Sequence, residues 1–395
     1  MASSAGSAIV PVAMAFAVLR TGGTAEQLGL VLACGGAAEV ALLLFGGVWA
    51  DRLPRRTVVL VANSFSCALS ACLGVLLIVG TARVWEFALF SVAGAVARAF
   101  VRPAMSGLVT ELVSQDTLQK ANALLSLTDS VPSVAGPAIA GVLVALAGAG
   151  SAFLVESASL LSAVLLLGRV SMPRREPPES GSFWAELRGG VREVTSRPWL
   201  WQCLISHGLW NLGFSMLFVL GPALLLTRHG GIAAWAAVST GLTVGSILGA
   251  LLALRIRTRR PLTVGNLALL AGAAPFIAMI EHSPVWVLVL GAVAAAAGTD
   301  VLGALWNSTL QQFVPGEKLS RVSACDWMVS LSMTPLGYIA AGSLSGSLGP
   351  TRALVVPVLL IVVPSTLVSI LPSSRAVGPP PVGITPADAD RLTAP

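Results

Sequence analysis

The chain has 395 residues, of which 55% are hydrophobic and 11% are charged, and its formal net charge is +6. A soluble domain carries about 25% charged residues, so the composition excludes a protein whose whole surface faces water. The mean hydropathy of +0.85 comes from solidly apolar runs, which lack the alternating pattern of a membrane β-barrel. We therefore expect an all-α polytopic membrane protein.

In chain order, twelve apolar segments approach or reach the roughly 17–25 residues that cross a bilayer as a helix. In the first half they are 5–19, 27–49, 57–80, 85–107, 121–147 and 151–169. In the second half they are 199–226, 232–254, 262–281, 284–308, 322–347 and 352–371. The first segment lacks the basic start and the cleavage site of a signal peptide. We interpret it as a shortened first membrane helix, with a misplaced start site as the alternative explanation.

These segments divide the chain into four predicted parts. An N-terminal six-helix bundle covers 1–170, and a C-terminal six-helix bundle covers 198–371. The linker 171–197 has a proline-rich break followed by apolar residues at helical spacing, which predict an amphipathic helix lying on a membrane face. The proline- and alanine-rich residues 372–395 predict a disordered cytoplasmic tail.

Basic residues fall mainly on alternate loops. One set of loops holds 18 of the 24 lysines and arginines, and we call the side of the protein that carries it the basic face. The opposite, arginine-poor face has four basic residues: Arg20, Arg83, Arg228 and Arg352. The positive-inside rule puts the basic face, both termini and the linker in the cytoplasm, with the protein in the cytoplasmic (inner) membrane. Topology thereby explains the positive charge, and we expect no nucleic acid partner.

The two halves of the sequence resemble each other. The stretch VSQDTLQK at 113–120 is similar to VPGEKLSR at 314–321. At the same offset, Gly136 corresponds to Gly337, and Gly141 corresponds to Gly342. Duplication of a six-helix unit is the usual construction of secondary transporters, whose substrate site lies between the halves. The repeat therefore favours a transporter.

A dense cluster of charges lies between the second and third segments, in the stretch GVWADRLPRR. Five positions of the pattern G-x-x-x-D-R-x-G-R-R/K are matched, by Gly47, Asp51, Arg52, Arg55 and Arg56. Pro54 stands in place of the remaining glycine. The pattern resembles a loop of the major facilitator superfamily, in its drug:proton antiporter branch of enterobactin-exporter and macrolide-efflux-like proteins. The resemblance implies that the cluster is a gate that latches the cytoplasmic ends of the two halves together. A plain basic turn is the alternative.

A second motif, in the fifth segment, resembles the g-x-x-x-G-P-x-x-G-G signature of exporters in that family. Gly136, Pro137 and Gly141 match it, whereas Pro132 and Ala140 replace two glycines. The resemblance implies the major facilitator fold of two six-helix bundles, and export of a small hydrophobic or amphipathic substrate in exchange for protons. We expect the protein to act as a monomer in the lipid bilayer.

Coupling to protons requires an ionisable group away from bulk water, and such groups in membrane segments usually face a cavity or a partner. Five residues within the segments are candidates: Asp129, Glu39, Glu156, Asp300 and Arg98. Asp129 comes first, because it precedes Gly136 and Pro137 by about two helical turns, and Glu39 comes second. Asp300 is expected to pair with Arg98 or to face the cavity. A structural ion pair is the alternative role for each acid.

The seventh segment contributes four candidates for lining a central substrate cavity, namely His207, Trp210, Asn211 and Phe214. Packing between helices is their alternative role. The sequence contains no G-x-x-x-x-G-K-[ST], H-E-x-x-H or C-x-x-C motif, so we predict no cofactor, no bound metal and no enzymatic activity. Two other functions stay open: import of a small metabolite by a facilitator or symporter, and a non-transporting, truncated relative of the family.

Overall fold

The structure is a computed structural model that describes residues 6–50, 55–112, 132–169, 191–228 and 231–377. All regular secondary structure within these ranges is helical. The helices of the N-terminal half are α1 Val10–Arg20, α2 Ala25–Ala50, α3 Arg55–Val79, α4 Val84–Leu112, α5 Pro132–Ala147 and α6 Ala149–Gly168.

Several membrane segments of the C-terminal half are built from two shorter helices. The helices are α7 Pro198–Ser215, α8 Leu217–Arg228, α9 Gly231–Ala253, α10 Pro261–Ala268, α11 Ala274–Ile280, α12 Val285–Phe313, α13 Gly316–Leu348, α14 Pro350–Ala353, α15 Val355–Ile370 and α16 Pro372–Ala376. A 3₁₀ segment, Leu269–Ala273, joins α10 to α11. The pairs α7–α8, α10–α11 and α14–α15 each occupy one predicted segment.

Eight helical stretches of the described ranges are long and apolar enough to cross a membrane. Three further predicted segments are also helical: the short α1, and α4 and α13, which carry charged residues within their length. The fifth segment is described from Pro132 onward, as α5. The structure therefore confirms the all-α fold class that the sequence predicts.

Exposed tryptophans lie near both ends of the membrane helices. Trp85 and Trp286 stand at the starts of α4 and α12 on the arginine-poor face, with 60% and 65% of their surface exposed. Trp201 lies near the start of α7, towards the basic face. Tryptophan is enriched at membrane–water interfaces, where its ring and its N–H group meet lipid and water together. The positions of these side chains agree with helices that span a bilayer.

The last hairpin of each half turns through a glycine with positive φ. Gly148 precedes α6 with φ of 80°, and Gly349 precedes α14 with φ of 82°. Glycine adopts this conformation without the steric penalty that a Cβ atom brings. The two glycines are 201 positions apart, the offset that also separates Gly136 from Gly337. The internal repeat of the sequence thus extends to the backbone geometry.

Glycines allow close contact between helices inside the C-terminal bundle. Gly241, Gly245 and Gly249 form a stripe along α9, and each faces the backbone of α12. A Cβ atom added to Gly249 would lie 2.5 Å from the Ala297 carbonyl oxygen, and one added to Gly245 would meet the Val293 carbonyl oxygen. Small residues spaced four apart let membrane helices approach closely, which replaces the hydrophobic driving force that lipid removes.

A second glycine contact joins the two bundles, between α2 and α13. Gly29 faces the backbone carbonyl of Tyr338, and a Cβ atom on Gly36 would lie 2.9 Å from the Pro335 ring. A Cβ atom on Gly342 would lie 2.7 Å from the Glu26 Cα atom. These contacts fall in the half of each helix that is nearer the arginine-poor face. We call this contact the glycine seam.

Most of the linker lies outside the described residues, and the start of the tail differs from the sequence-based expectation. Most of the predicted amphipathic helix lies outside them, and residues 191–195 are helical. The prediction of disorder from residue 372 is wrong for α16, which is fastened to the bundle. Ser373 bonds to Gln202, and Arg375 Nε donates to the Ser369 carbonyl at 3.3 Å. The domain boundaries themselves stay predictions.

Candidate functional site

Two of the proton-coupling candidates meet in the N-terminal half. Arg98 Nη2 in α4 lies 3.8 Å from Glu39 Oε2 in α2. The side chains keep 52% and 27% of their surface exposed, so the pair is open to molecules outside the packed helices. Protonation of Glu39 would remove its charge and release Arg98 to bind another anion. Arg98 thus pairs with Glu39 of the neighbouring helix, whereas Asp300 belongs to α12, and its role stays a prediction.

Glu156 lies deeper, in the interface between α3 and α6. It is 7% exposed, and Ser70, which is fully buried, donates its hydroxyl to Glu156 Oε2 at 2.9 Å. Beside this bond, Ser157 Oγ donates to the Cys67 carbonyl at 2.9 Å. These bonds join the two helices through their polar groups, which is the structural role that the sequence leaves open for Glu156. A role in proton coupling stays a prediction.

Replacing Ser70 with alanine is expected to weaken the α3–α6 interface. The change leaves Glu156 buried without its donor, which costs about 1–3 kcal/mol for a buried polar group. We expect a lower melting temperature for the purified protein in detergent. Ser64→Ala, an exposed serine on the same helix, is the matched control and should melt with the wild type. Equal melting temperatures for the two variants would contradict the prediction.

A further membrane acid, Asp326 in α13, is missing from the sequence-based candidates. Trp306 in α12 donates its indole N–H to Asp326 Oδ2 at 2.9 Å. The His207 ring contacts Trp306 edge-on, with the ring centroids 4.9 Å apart. The sequence alone could have identified Asp326, because it lies inside the predicted eleventh segment and meets the criterion that selected the other acids.

The seventh-segment candidates lie among packed helices. His207 and Trp210 are buried, and Trp210 donates its indole N–H to the Leu269 carbonyl at 3.1 Å. Phe214 stacks on Trp210 with centroids 4.5 Å apart, and Asn211 donates to the His207 carbonyl at 2.9 Å. In the structure these residues pack between helices. Their contact with a substrate stays a prediction.

The two family motifs are described in part. Gly47 belongs to the last turns of α2, and Arg55 and Arg56 begin α3. Asp51, Arg52 and Asp129 lie outside the described residues. Helix α5 continues through Pro137, which is buried. Gly136 packs against Ala8, and Gly141 packs against Ala236 of the other half. The glycines of the fifth-segment motif therefore serve close packing of α5 against its neighbours.

An ion-pair cluster fastens the end of the linker to the C-terminal bundle at the basic face. Glu193 accepts bonds from Lys318 Nζ at 2.8 Å and from Arg197 Nη2 at 2.9 Å. Arg197 Nη1 also donates to the Phe313 carbonyl. The hydrogen bond from Lys318 lowers the pKa of Glu193, and the positive charge of Arg197 adds to the effect. We call Glu193, Arg197, Phe313 and Lys318 the linker clamp.

The linker clamp predicts a stability that depends on pH. Because folding lowers the pKa of Glu193, its contribution is present above the ordinary glutamate pKa of about 4.3, and it is lost as the pH falls through the folded value. We expect Glu193→Gln to lose about 0.2–1 kcal/mol near neutral pH and nothing at the lowest pH. Thermal melts of the detergent-solubilised protein at several pH values measure the difference.

Arg192→Gln is the control for this prediction, because Arg192 lies exposed on the same helical turn. This variant should have the melting temperature of the wild type at every pH tested. A loss in Glu193→Gln that stays constant from neutral to acid pH would mean that ionisation of Glu193 does not stabilise the clamp.

Comparison with known proteins identifies the family of this architecture. A model described as Major Facilitator Superfamily matches residues 1–338. The chain belongs to the major facilitator superfamily. It is therefore a membrane transporter with the all-α major facilitator fold of two six-helix bundles, as the sequence predicts.

Known relatives of this chain include two proteins named as enterobactin exporters. The chain is 27% identical over 376 residues to the enterobactin exporter EntS of Citrobacter koseri, covering 90% of this chain and 86% of the relative. It is 26% identical over 363 residues to the enterobactin exporter EntS of Escherichia coli O1:K1 / APEC, covering 85% and 83%. Both alignments span the two halves of the fold.

Solved structures share the fold at low sequence identity. A bacterial homologue of the human lysosomal transporter Spinster, in an inward-facing and unoccupied conformation, has a TM-score of 0.71 and 16% identity, covering 95% of each chain. A bacterial homologue of the iron transporter ferroportin, in an inward-facing state, has a TM-score of 0.72 and 16% identity, covering 93% of this chain and 95% of the other. These similarities concern the fold alone.

Proposed function

We propose that this major facilitator protein exports a hydrophobic or amphipathic small molecule across the cytoplasmic membrane in exchange for protons. Relatives named as enterobactin exporters support export of a secondary metabolite, since they align with 85–90% of this chain. The exporter-like motif around Gly136, Pro137 and Gly141 supports the same direction of transport. Both termini and the linker lie in the cytoplasm in this proposal, as the basic face requires.

The glycine seam is the observation that carries the proposal. Gly29 and Gly342 bring backbone against backbone where α2 crosses α13, and Gly36 makes room for the Pro335 ring. In this proposal the surface separates and closes again during the cycle. With the arginine-poor face outside the cell, the seam closes the outer end of the path between the bundles. Alternating access then consists of opening this seam while the basic face closes.

The Glu39–Arg98 pair provides a route from proton binding to movement. Glu39 belongs to α2, the same helix that forms one side of the glycine seam. A proton on Glu39 cancels its attraction for Arg98 and alters the contact of α2 with α4. Asp129, the first candidate from the sequence, precedes Gly136 and Pro137 by seven and eight positions in the chain, and in this mechanism its protonation acts on the same segment.

Accumulation of dyes, antibiotics and siderophores in an efflux-deficient bacterial host tests the proposal. We expect cells that express the chain to hold less of at least one compound, and a protonophore to abolish the difference. Glu39→Gln and Asp129→Asn should each abolish the protonophore-sensitive export. Glu86→Gln is the control, since Glu86 caps the first turn of α4 by accepting from the Arg83 backbone N–H at 2.9 Å, away from the pair.

Two outcomes would overturn the proposal. If the chain is present in the membrane and no compound is depleted, broad export is wrong. If a compound is depleted but the protonophore leaves the depletion intact, export is not driven by protons.

A further inference from the structure

The interior of the C-terminal bundle contains buried polar atoms that find no partner in the protein. Within the described ranges, every buried side-chain nitrogen or oxygen of this kind lies in this bundle or in α16, which is fastened to it. The atoms are Ser206 Oγ, His207 Nε2, Thr263 Oγ1, Asn266 Oδ1, Ser365 Oγ and Ser374 Oγ. We call these six residues the polar core.

The polar core is one region, because its residues come from helices that pack on each other. Helix α10 packs on α15 and α16, and α16 also packs on α7. Asn266 lies beside the His207 ring and donates its amide to the Leu262 carbonyl at 2.8 Å, while its own oxygen lies near the ring without forming a hydrogen bond of normal geometry. At the rim, Ser373 bonds to Gln202 where α16 meets the basic end of α7.

So many unpartnered polar atoms in one buried region require a ligand that can form hydrogen bonds with them. An unsatisfied buried polar group costs about 1–3 kcal/mol, so a bundle does not keep six without compensation. Buried water is the usual compensation, and one molecule serves about 2–4 polar groups. The buried polar groups between α3 and α6 differ, because Ser70, Glu156 and Ser157 bond within the protein.

Trp306 connects the polar core to Asp326. One side of its ring meets the buried His207, and its N–H group donates to the half-buried Asp326. In the described part of the chain Asp326 has no ion-pair partner, because Lys318 and Arg197 both bond to Glu193. The other titratable groups near it are His207 and two thiols, Cys203 on α7 and Cys325 on α13.

A carboxylate held in a membrane helix by one neutral donor is costly, whereas the protonated acid is not. We propose that Asp326 is a proton-binding site of the C-terminal bundle, and that water held by the polar core connects it to the basic face. Arrival of a proton forms an O–H bond on Asp326 and removes one negative charge. Release breaks this O–H bond and forms a new O–H bond on a water molecule of the polar core, which becomes hydronium. The direction of proton flow rests on the proposed antiport, but the site itself does not.

Carbodiimide labelling of the purified full-length protein tests the proton site without transport. Dicyclohexylcarbodiimide modifies protonated carboxyl groups in apolar surroundings, and mass spectrometry of peptides locates the product. We expect labelling of Asp326 to fall by about tenfold between about pH 5 and pH 9, since a carboxyl group in an apolar site titrates in that range. Glu193 is the internal control and should stay unlabelled, because Lys318 keeps it ionised.

X-ray radiolysis in the same sample tests the water connection. Hydroxyl radicals formed from bound water oxidise neighbouring side chains even when these are buried. We expect oxidation of His207 and Trp306, and much less of Trp210, which is equally buried but has its N–H group satisfied by Leu269. Replacing Asn266 with leucine and Ser206 with alanine together should reduce the oxidation of His207.

The outcomes separate this inference from the proposed function. Asp326 that stays unlabelled, or labels equally at every pH, overturns the proton site, and an unoxidised His207 overturns the water connection. A wild-type protein that labels as expected but depletes no compound from cells refutes export and leaves the site standing. In a transporting protein, Asp326→Asn should lose protonophore-sensitive efflux of ethidium, whereas Glu281→Gln, at an exposed acid of the same bundle, should keep it.

Discussion

Leucine in place of Gly245 is expected to prevent the C-terminal bundle from packing. A Cβ atom at this position already meets the Val293 carbonyl, which belongs to a helix backbone and has no rotamer to change. Overpacking of a core costs about 1–3 kcal/mol when side chains can yield, and we expect more than that here. The variant should give little monodisperse protein in size-exclusion chromatography, and what is recovered should melt well below the wild type.

Gly303→Leu is the control for this experiment. Gly303 lies on α12, the helix that Gly245 faces, and a Cβ atom on it has open space around it. Its replacement should leave the protein as stable as the wild type or slightly more so, because leucine favours a helix over glycine by up to about 1 kcal/mol. Equal stability of Gly245→Leu and Gly303→Leu would show that α9 and α12 do not touch through the glycine stripe.

Leucine in place of Gly342 is expected to abolish transport while the protein still folds. Gly342 lies between the bundles, so the clash with the Glu26 backbone arises only when the seam is closed. A ligand or mutation shifts a two-state equilibrium by its differential effect on the two states, and a clash of several kcal/mol leaves the closed state almost unpopulated. Export should fall by more than about tenfold, which corresponds to about 1.4 kcal/mol.

Gly346→Leu provides the matched control, one turn further along α13 in open space. It should export as the wild type does, and both variants should have melting temperatures near that of the wild type. Export by Gly342→Leu at the wild-type rate would mean that closure of the seam is not a step of the cycle. A strong loss of stability in Gly342→Leu would mean that the seam is a fixed contact.

The succession of membrane helices could be predicted from the sequence because the thickness of a bilayer fixes the length of an apolar helix. The repeat was visible because Gly136, Gly141, Gly337 and Gly342 each lie where another part of the chain packs too closely for a larger side chain. Pairing of charges was not predictable. Arg98 had several acids as possible partners, and only the packing of α2 on α4 selects Glu39.

The polar core could not be predicted from the sequence either. Serine and asparagine occur singly in many membrane helices, and their meeting in one place depends on the rotation of α7, α10 and α15 about their axes. Asp326 could have been found, since its position within an apolar segment is as unusual as that of Asp300. Its importance emerges from the contact with Trp306, whose ring also contacts His207 of α7, a helix distant in the chain.

Helix α13 is attached at both ends to parts of the molecule outside its own bundle. Near the basic face, Lys318 ties its first turn to Glu193 of the linker, and near the opposite face Gly342 rests on α2. Pro335 lies within α13 between these two attachments, at a point where a helix bends most easily. A displacement of the linker and an opening of the seam therefore act on the same helix, with the proline between them.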